Sequence, residues 1–254
     1  MIIDYHVHIR KDKGTIENFL KGMDENNIDI SVVHPIVPGG TLGLSDNEFV
    51  GQLCKEHPDR LMGFACVVPT ELGAADELRA ALDKYDFRGL KLHPPLQNFS
   101  MDDPRIAPCI EVCIERDIPI LIHTGGIYTQ GARMQLSDCS YIIDDLAIRY
   151  PKCKFVIAHG NPMSWDPVIV AKNPNVYMDT TGCMAHWCSL FPQLGPAVIK
   201  QMRTSDRLLY GSDANALNTA RFTENLKPIL DMDISEEVRN KILCENAKKL
   251  LKIK

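Results

Sequence analysis

The chain has 254 residues and a formal net charge of −5, with 45% hydrophobic and 24% charged residues. These are ordinary globular values and exclude a disordered chain, which would carry fewer apolar residues and more net charge. The acidic balance gives no basic field for a nucleic acid, and no run reaches the ~18–20 apolar residues of a membrane span.

In chain order the pattern alternates. Short β-branched apolar runs bounded by turn residues predict eight strands, at 2–8, 29–37, 61–69, 89–94, 119–125, 154–160, 175–182 and 208–213. Amphipathic spacing predicts helices between them at 17–26, 46–56, 74–84, 104–116 and 138–150, with a weaker one at 161–173 that contains Pro162 and Pro167. In 104–116 the stripe is Ile106, Cys109, Ile110, Cys113 and Ile114, with Asp103 as the cap and Pro104 at the first helical position. After the eighth strand come a helix at 219–230 and a terminal one opening at Ser235, whose acidic start and Lys248, Lys249 and Lys252 suit the helix dipole. Eight strand–helix units allow a closed barrel or an open doubly wound sheet. The open sheet would place a glycine-rich phosphate loop after the first strand, and Ile9-Arg10-Lys11-Asp12-Lys13-Gly14 is no such loop. The expectation is an α/β fold, one (β/α)8 TIM barrel spanning 1–254.

Nine cysteines cannot all pair within one chain, and no Cys-x-x-Cys occurs. They read as reduced core thiols. The N-terminus lacks the basic region and cleavage site of a signal peptide, so a cytoplasmic location is expected.

The histidines are 6, 8, 34, 57, 93, 123, 159 and 186. His6, His8, His93, His123 and His159 fall at the C-terminal ends of predicted strands, and the eighth strand ends in Tyr210-Gly211-Ser212-Asp213. In a barrel those ends converge on one face, where such folds keep their chemistry. Residues two apart in a strand share a face, so His6 and His8 can hold one ion while Tyr5 and Val7 point away. The same parity puts His123 with Leu121 and His159 with Ile157. Neutral imidazole and carboxylate suit Zn²⁺, Fe²⁺ or Mn²⁺, and three histidines plus an aspartate with an open position make a catalytic rather than a structural site.

The stretches Ile3-Asp4-Tyr5-His6-Val7-His8, Gly89-Leu90-Lys91-Leu92-His93-Pro94, Leu121-Ile122-His123-Thr124-Gly125, Ile157-Ala158-His159-Gly160 and Tyr210-Gly211-Ser212-Asp213 resemble the amidohydrolase superfamily. The resemblance is to its amidohydrolase-related branch, which includes enzymes like aminocarboxymuconate semialdehyde decarboxylase. It runs from residue 2 to the Asn246-Ala247-Lys248-Lys249-Leu250-Leu251 segment. It implies His6, His8, His123 and Asp213 as metal ligands and His159 and Asp213 as catalytic groups. The divalent metal is taken first as Zn²⁺, with Mn²⁺ or Fe²⁺ as alternatives.

A bound metal would lower the pKa of water and polarise a carbonyl, with Asp213 taking the water's proton and His159 stabilising charge or protonating the product. The primary expectation is therefore a hydrolase acting on an amide, ester or lactone of a small molecule. The alternatives are a nonoxidative decarboxylase of the same superfamily and a metal-free binding barrel. His93 and Arg133 are candidate substrate-binding residues, Arg133 lying with Tyr128 in the 125–137 segment. Lys91 shares the parity of His93 and reads as an electrostatic or structural residue rather than a bridging carbamate. Asp179 either supports the metal site or caps the following segment. Cys183, His186 and Cys188 read as a pocket-lining loop with Trp187 as an apolar wall, rather than as a second metal site. His34 reads as a packing residue or as one that supports the site from behind, and His57 as a helix end. The partner is a small-molecule substrate, with neither nucleic acid nor membrane; association into a homo-oligomer is left open.

Overall fold

A computed structural model describes residues 1–12, 14–36, 45–127, 129–137 and 139–253. Val37, Tyr128 and Asp138 of the predicted elements lie outside them. The strands are β1 (Ile3–Val7), β2 (Ile30–Val33), β3 (Leu61–Gly63), β4 (Ala65–Cys66), β5 (Leu90–Leu92), β6 (Pro119–Ile122), β7 (Lys154–Ile157), β8 (Val176–Asp179) and β9 (Leu208–Leu209). All neighbouring strands pair in parallel, in the orders β1-β2-β3 and β4-β5-β6-β7-β8-β9. Two joints close this series into a ring. At the first, the Phe64 N–H bonds the Val33 carbonyl while the Ala65 N–H bonds the Gly89 carbonyl, so β3 and β4 are two halves of one stave. At the second, Tyr5 N–H donates to the Tyr210 carbonyl (2.9 Å), Asp213 N–H to His6 (2.7 Å) and His8 N–H to Ala214 (3.0 Å), which joins the last strand to the first. The result is the eight-stave (β/α)8 barrel that the alternating pattern predicts.

The helices are α1 (Ile16–Glu25), α2 (Asn47–Glu56), α3 (Ala74–Tyr85), α4 (Pro94–Gln97), α5 (Ala107–Arg116), α6 (Ser140–Arg149), α7 (Asp166–Lys172), α8 (Cys183–Leu190), α9 (Leu194–Met202), α10 (Ala220–Leu230), α11 (Glu236–Asn240) and α12 (Asn246–Leu251). Side-chain caps start several of them: Thr15 for α1, Asp46 for α2 and Ser235 for α11. The predicted 104–116 helix divides into a 3-10 turn at Pro104–Ile106 and then α5. Pro108 has no N–H to continue the ladder across that point. A π turn at Lys241–Glu245 links α11 to α12.

The segment after β8, expected as a loop, instead forms α8 and α9. Its breaker-like Pro196 falls in the first turn of α9, where a proline costs no hydrogen bond. Among the described residues no helix is long and apolar enough to cross a membrane.

Two apolar layers hold the fold. The larger lies between staves and helices and includes Val7, Val33, Leu90, Leu92, Ile122 and Ile157. The smaller fills the ring with Ile3, Tyr5, Val32, Phe64, Leu121, Val156, Ala158 and Leu209, packed with Cys244, Ala247, Leu250 and Leu251 from the C-terminal turns. Tyr5 therefore points inward, against the simple alternation. The cause is a bulge: Asp4 pairs with Ser31 and Val7 with Val33, three steps on β1 against two on β2. The extra residue lets Ile3 and Tyr5 fill the interior while Val7 still faces the helices.

Phe64 is fully buried at the first joint, with its ring edge-on to Tyr5 (5.7 Å) and His34 (4.6 Å). Phe64→Ala should destabilise the protein by about 3–5 kcal/mol through lost burial and the cavity left behind. Chemical denaturation would read this as a lower midpoint at unchanged slope.

Candidate metal centre

The site lies where the staves end. His6 lies in the bulge of β1 and His8 just past the strand, and their rings meet edge to face at 5.2 Å. Their outer partners fix both tautomers. His6 Nδ1–H donates to the Asp179 carboxylate (2.9 Å), and His8 Nδ1–H donates to the His34 carbonyl (2.8 Å). Each neutral ring has one proton and has spent it on Nδ1. The two Nε2 atoms, 3.3 Å apart, thus present lone pairs rather than protons, that of His6 accepting from the Lys91 ammonium. Asp213 Oδ1 lies 3.6 Å from His8 Nε2. The ligand atoms of His6, His8 and Asp213 all lie within 4.8 Å of one another. Two lone pairs and a carboxylate with no proton to share between them are a donor set complementary to a cation.

His123, expected in the same set, stands beside that group rather than within it. Its Nδ1 meets His159 Nε2 at 3.1 Å, its ring stacks on His93 (3.8 Å, 11°), and its Nε2 is buried with no partner. His159 is past the end of β7. Straight alternation would turn it outward with Ile157, which belongs to the outer layer. Instead its backbone is left-handed (φ 58°), and this brings its ring within 5.0 Å of His6. Asp213 is also left-handed (φ 55°). Such conformations are uncommon outside glycine and persist where surrounding bonds impose them. For His159 the bond is its N–H to Asp179 Oδ1 (2.8 Å).

The fully buried Asp179 thus supports the site. Besides His6 and His159, it accepts the N–H of Thr181 (3.0 Å). Lys91, also buried, donates its ammonium to His6 Nε2 at 3.1 Å. His34 contributes its carbonyl to His8 and its own Nε2–H to the Tyr5 carbonyl (2.8 Å), so it braces the site as well as packing there. His93 is held by its N–H to Gln97 Oε1 (2.7 Å), at the start of α4. Arg133 is exposed at the head of the Met134–Leu136 turn, which packs against α4. Its carbonyl accepts the Leu136 N–H (3.0 Å), and its guanidinium makes no hydrogen bond or ion pair among the described residues.

Cys183, His186 and Cys188 form no metal-type cluster among the described residues. His186 and Cys188 line a cavity of about 640 Å³ between α8 and α10. Its inner wall includes Ser212 and Arg221.

Arg221 was not expected. It ion-pairs with the Asp213 carboxylate and donates to the Asp213 carbonyl (2.9 Å). The sequence held one signal: a cation in the first turn of α10, where the helix dipole disfavours positive charge.

Burial keeps the imidazoles neutral. It pushes His6, His34, His93 and His123 well below the ordinary histidine range, helped by the Lys91 charge and by one another. His8 falls to about 4 through burial, with Asp213 pulling the other way. His159 is lowered by burial against the opposing pull of Asp213 and Asp179. Burial takes Lys91 down to about 8, resisted by Asp179 and Asp213. Burial would raise Asp213, but His8, His159 and Arg221 outweigh it and the net shift is downward.

A family profile described as Amidohydrolase matches residues 3–253. A search of curated proteins found no match. Among solved structures, the chain is similar to a 5-carboxyvanillate decarboxylase from Sphingomonas paucimobilis, with 15% identity, a TM-score of 0.78 and coverage of 100% of this chain and 99% of that one. It is also similar to a 2,6-dihydroxybenzoate decarboxylase from Rhizobium, with 17% identity, a TM-score of 0.75 and coverage of 99% and 98%. A third is a 5-carboxyvanillate decarboxylase from Novosphingobium aromaticivorans complexed with manganese and 4-hydroxy-3-methoxy-5-nitrobenzoic acid, with 17% identity, a TM-score of 0.71 and coverage of 92% and 79%.

The depressed histidines make the metal-free protein acid-sensitive. Each binds a proton more readily unfolded than folded, so stability falls as pH drops below the unfolded value of about 6.5. For His8 the loss continues to its folded value of about 4. Unfolding midpoints of chelator-treated protein should hold above neutral pH and fall steadily on acidification through that window; a flat profile there would contradict the neutral, buried cluster.

Proposed function

The chain belongs to the amidohydrolase family, and from that we propose that it is a metal-dependent, nonoxidative decarboxylase of a small aromatic or unsaturated carboxylic acid. The Arg221 clamp on Asp213 carries this choice over hydrolysis. A hydrolase would need Asp213 to take a proton from water, whereas here the adjacent Arg221 guanidinium favours the ionised, weakly basic carboxylate. Decarboxylation needs no such base. The buried Lys91 ammonium and Arg221 give the region two cations that suit a carboxylate substrate. The similarity in fold to decarboxylases of carboxylated aromatics supports the same reading.

The donor set fits a divalent ion. His6 and His8 would hold it through Nε2 and Asp213 through its carboxylate, with His123 completing the set through its unpartnered Nε2. This nitrogen-rich set puts Zn²⁺ first, and the manganese-bound relative makes Mn²⁺ the alternative. When bound, the ion would draw electron density from the substrate's oxygens and steady negative charge on the carbon that loses CO₂. The chain's own groups do the rest. Lys91 attracts and orients the carboxylate, and His93, stacked on His123, walls the bound ring. As the bond to the carboxyl carbon breaks, its electron pair stays on the substrate carbon and delocalises into the substrate's unsaturation. A proton that His159 takes up from solvent is then passed to that carbon, which leaves His159 neutral again.

A panel of hydroxylated benzoates, esters, lactones and amides should give metal-dependent CO₂ release from the acids. Hydrolysis of a carbonyl substrate without CO₂ would overturn decarboxylation in favour of the hydrolase. Protein that takes up no stoichiometric metal would favour a metal-free binding barrel. His159→Ala should keep its metal and lose about 10²–10⁴-fold in kcat, whereas His123→Ala should lose metal and turnover together.

A further inference from the structure

We propose that Asp4 and Ser212 are positioning residues that set the metal ligands of β1 against Asp213 across the seam where the barrel closes. This rests on the reading that His6, His8 and Asp213 hold a divalent ion. The ligands come from opposite sides of that seam, and Asp4 lies fully buried where the two sides meet. One of its oxygens accepts the N–H of His6 (3.2 Å) and the N–H of Ser212 (3.0 Å). The other accepts the Ser212 hydroxyl (2.5 Å), whose oxygen in turn accepts the Ala214 N–H (3.1 Å). Both chain neighbours of Asp213 are thus tied, directly or through one hydroxyl, to the same carboxylate that ties His6.

Two irregularities make such a tie necessary. The bulge on β1 falls between Asp4 and Val7, and the His6 N–H bonds the Asp4 side chain instead of a neighbouring strand. Asp213 has the left-handed backbone that non-glycine residues resist. A plain ladder would hold two regular strands together without burying a carboxylate, which is costly unless it is fully hydrogen-bonded. The buried pair holds two irregular segments in one register, and each segment carries a ligand.

The test measures equilibrium affinity for Zn²⁺ against a competing chelator, together with the visible spectrum of the Co²⁺-substituted protein. Ser212→Ala and Asp4→Asn should each weaken Zn²⁺ binding by about 10–100-fold, the range seen when groups that orient metal ligands are removed, and should alter the Co²⁺ bands. Ser212→Thr, which keeps the hydroxyl, should restore affinity and spectrum. Val198→Ala, in the outer apolar layer, is the stability control: it should lower the unfolding midpoint and leave both readouts unchanged. Parental affinity and spectrum in Ser212→Ala would overturn the proposal, as would a loss in Val198→Ala proportional to its loss of stability. Parent protein that binds no Zn²⁺ would overturn the metal reading and this proposal together. If Asp4→Asn does not fold, Ser212→Ala and its threonine counterpart decide the matter.

Discussion

The carboxylate of Asp179 is the interaction on which the site depends. It is fully buried, and burial raises its pKa against the pull of His159, the hydrogen bonds from the His159 and Thr181 N–H groups, and Lys91. One oxygen takes the Nδ1 proton of His6 and the other takes the backbone N–H groups of His159 and Thr181. A single group thereby decides which nitrogen of His6 is free to bind a ligand and where the chain turns after β7. The energetic logic is that of any buried charge: it is tolerable because both oxygens accept hydrogen bonds, and costly if one of those donors is removed.

The same economy recurs around the mouth. His8 is oriented by a carbonyl of the neighbouring stave, His34 by the carbonyl of Tyr5, and Asp213 by Arg221. The staves are short, two to five residues each, yet each is flanked by parallel neighbours and packed from both sides. Irregular backbone at their ends therefore sits on rigid supports. That arrangement lets His159 and Asp213 keep left-handed conformations that an unsupported loop would relax.

Much of this was legible in the residues. Alternating strand and helix patterns gave the barrel, and the His6–His8 spacing gave a shared face. Other features failed for identifiable reasons. The inward turn of Tyr5 depends on a bulge, which no period-two pattern contains. His159 reaches the site through a positive φ that histidine seldom adopts. The helices α8 and α9 lack a clean polar face and carry Gly and Pro at positions that imitate breakers. Of the supports, Asp179 was legible only as one of two alternatives and the Asp4–Ser212 tie not at all, because they join distant parts of the chain: Asp179 is 173 residues from His6, and Ser212 is 208 residues from Asp4. Arg221 left a trace only as a charge at the unfavourable end of a helix.

The C-terminal turns shape traffic through the barrel. Cys244, Ala247, Leu250 and Leu251 cork the ring at the end opposite the imidazoles, packed with Ile3, Leu121 and Leu209. With the interior side chains filling the ring above them, the axis is a packed core and no passage. A molecule bound over the histidines would therefore have to leave the way it came, and an arriving one would wait for a departing one. In the proposed decarboxylation, the small gas could slip past while the larger remnant still occupied the mouth. Turnover would then be governed as much by clearing that remnant as by bond breaking.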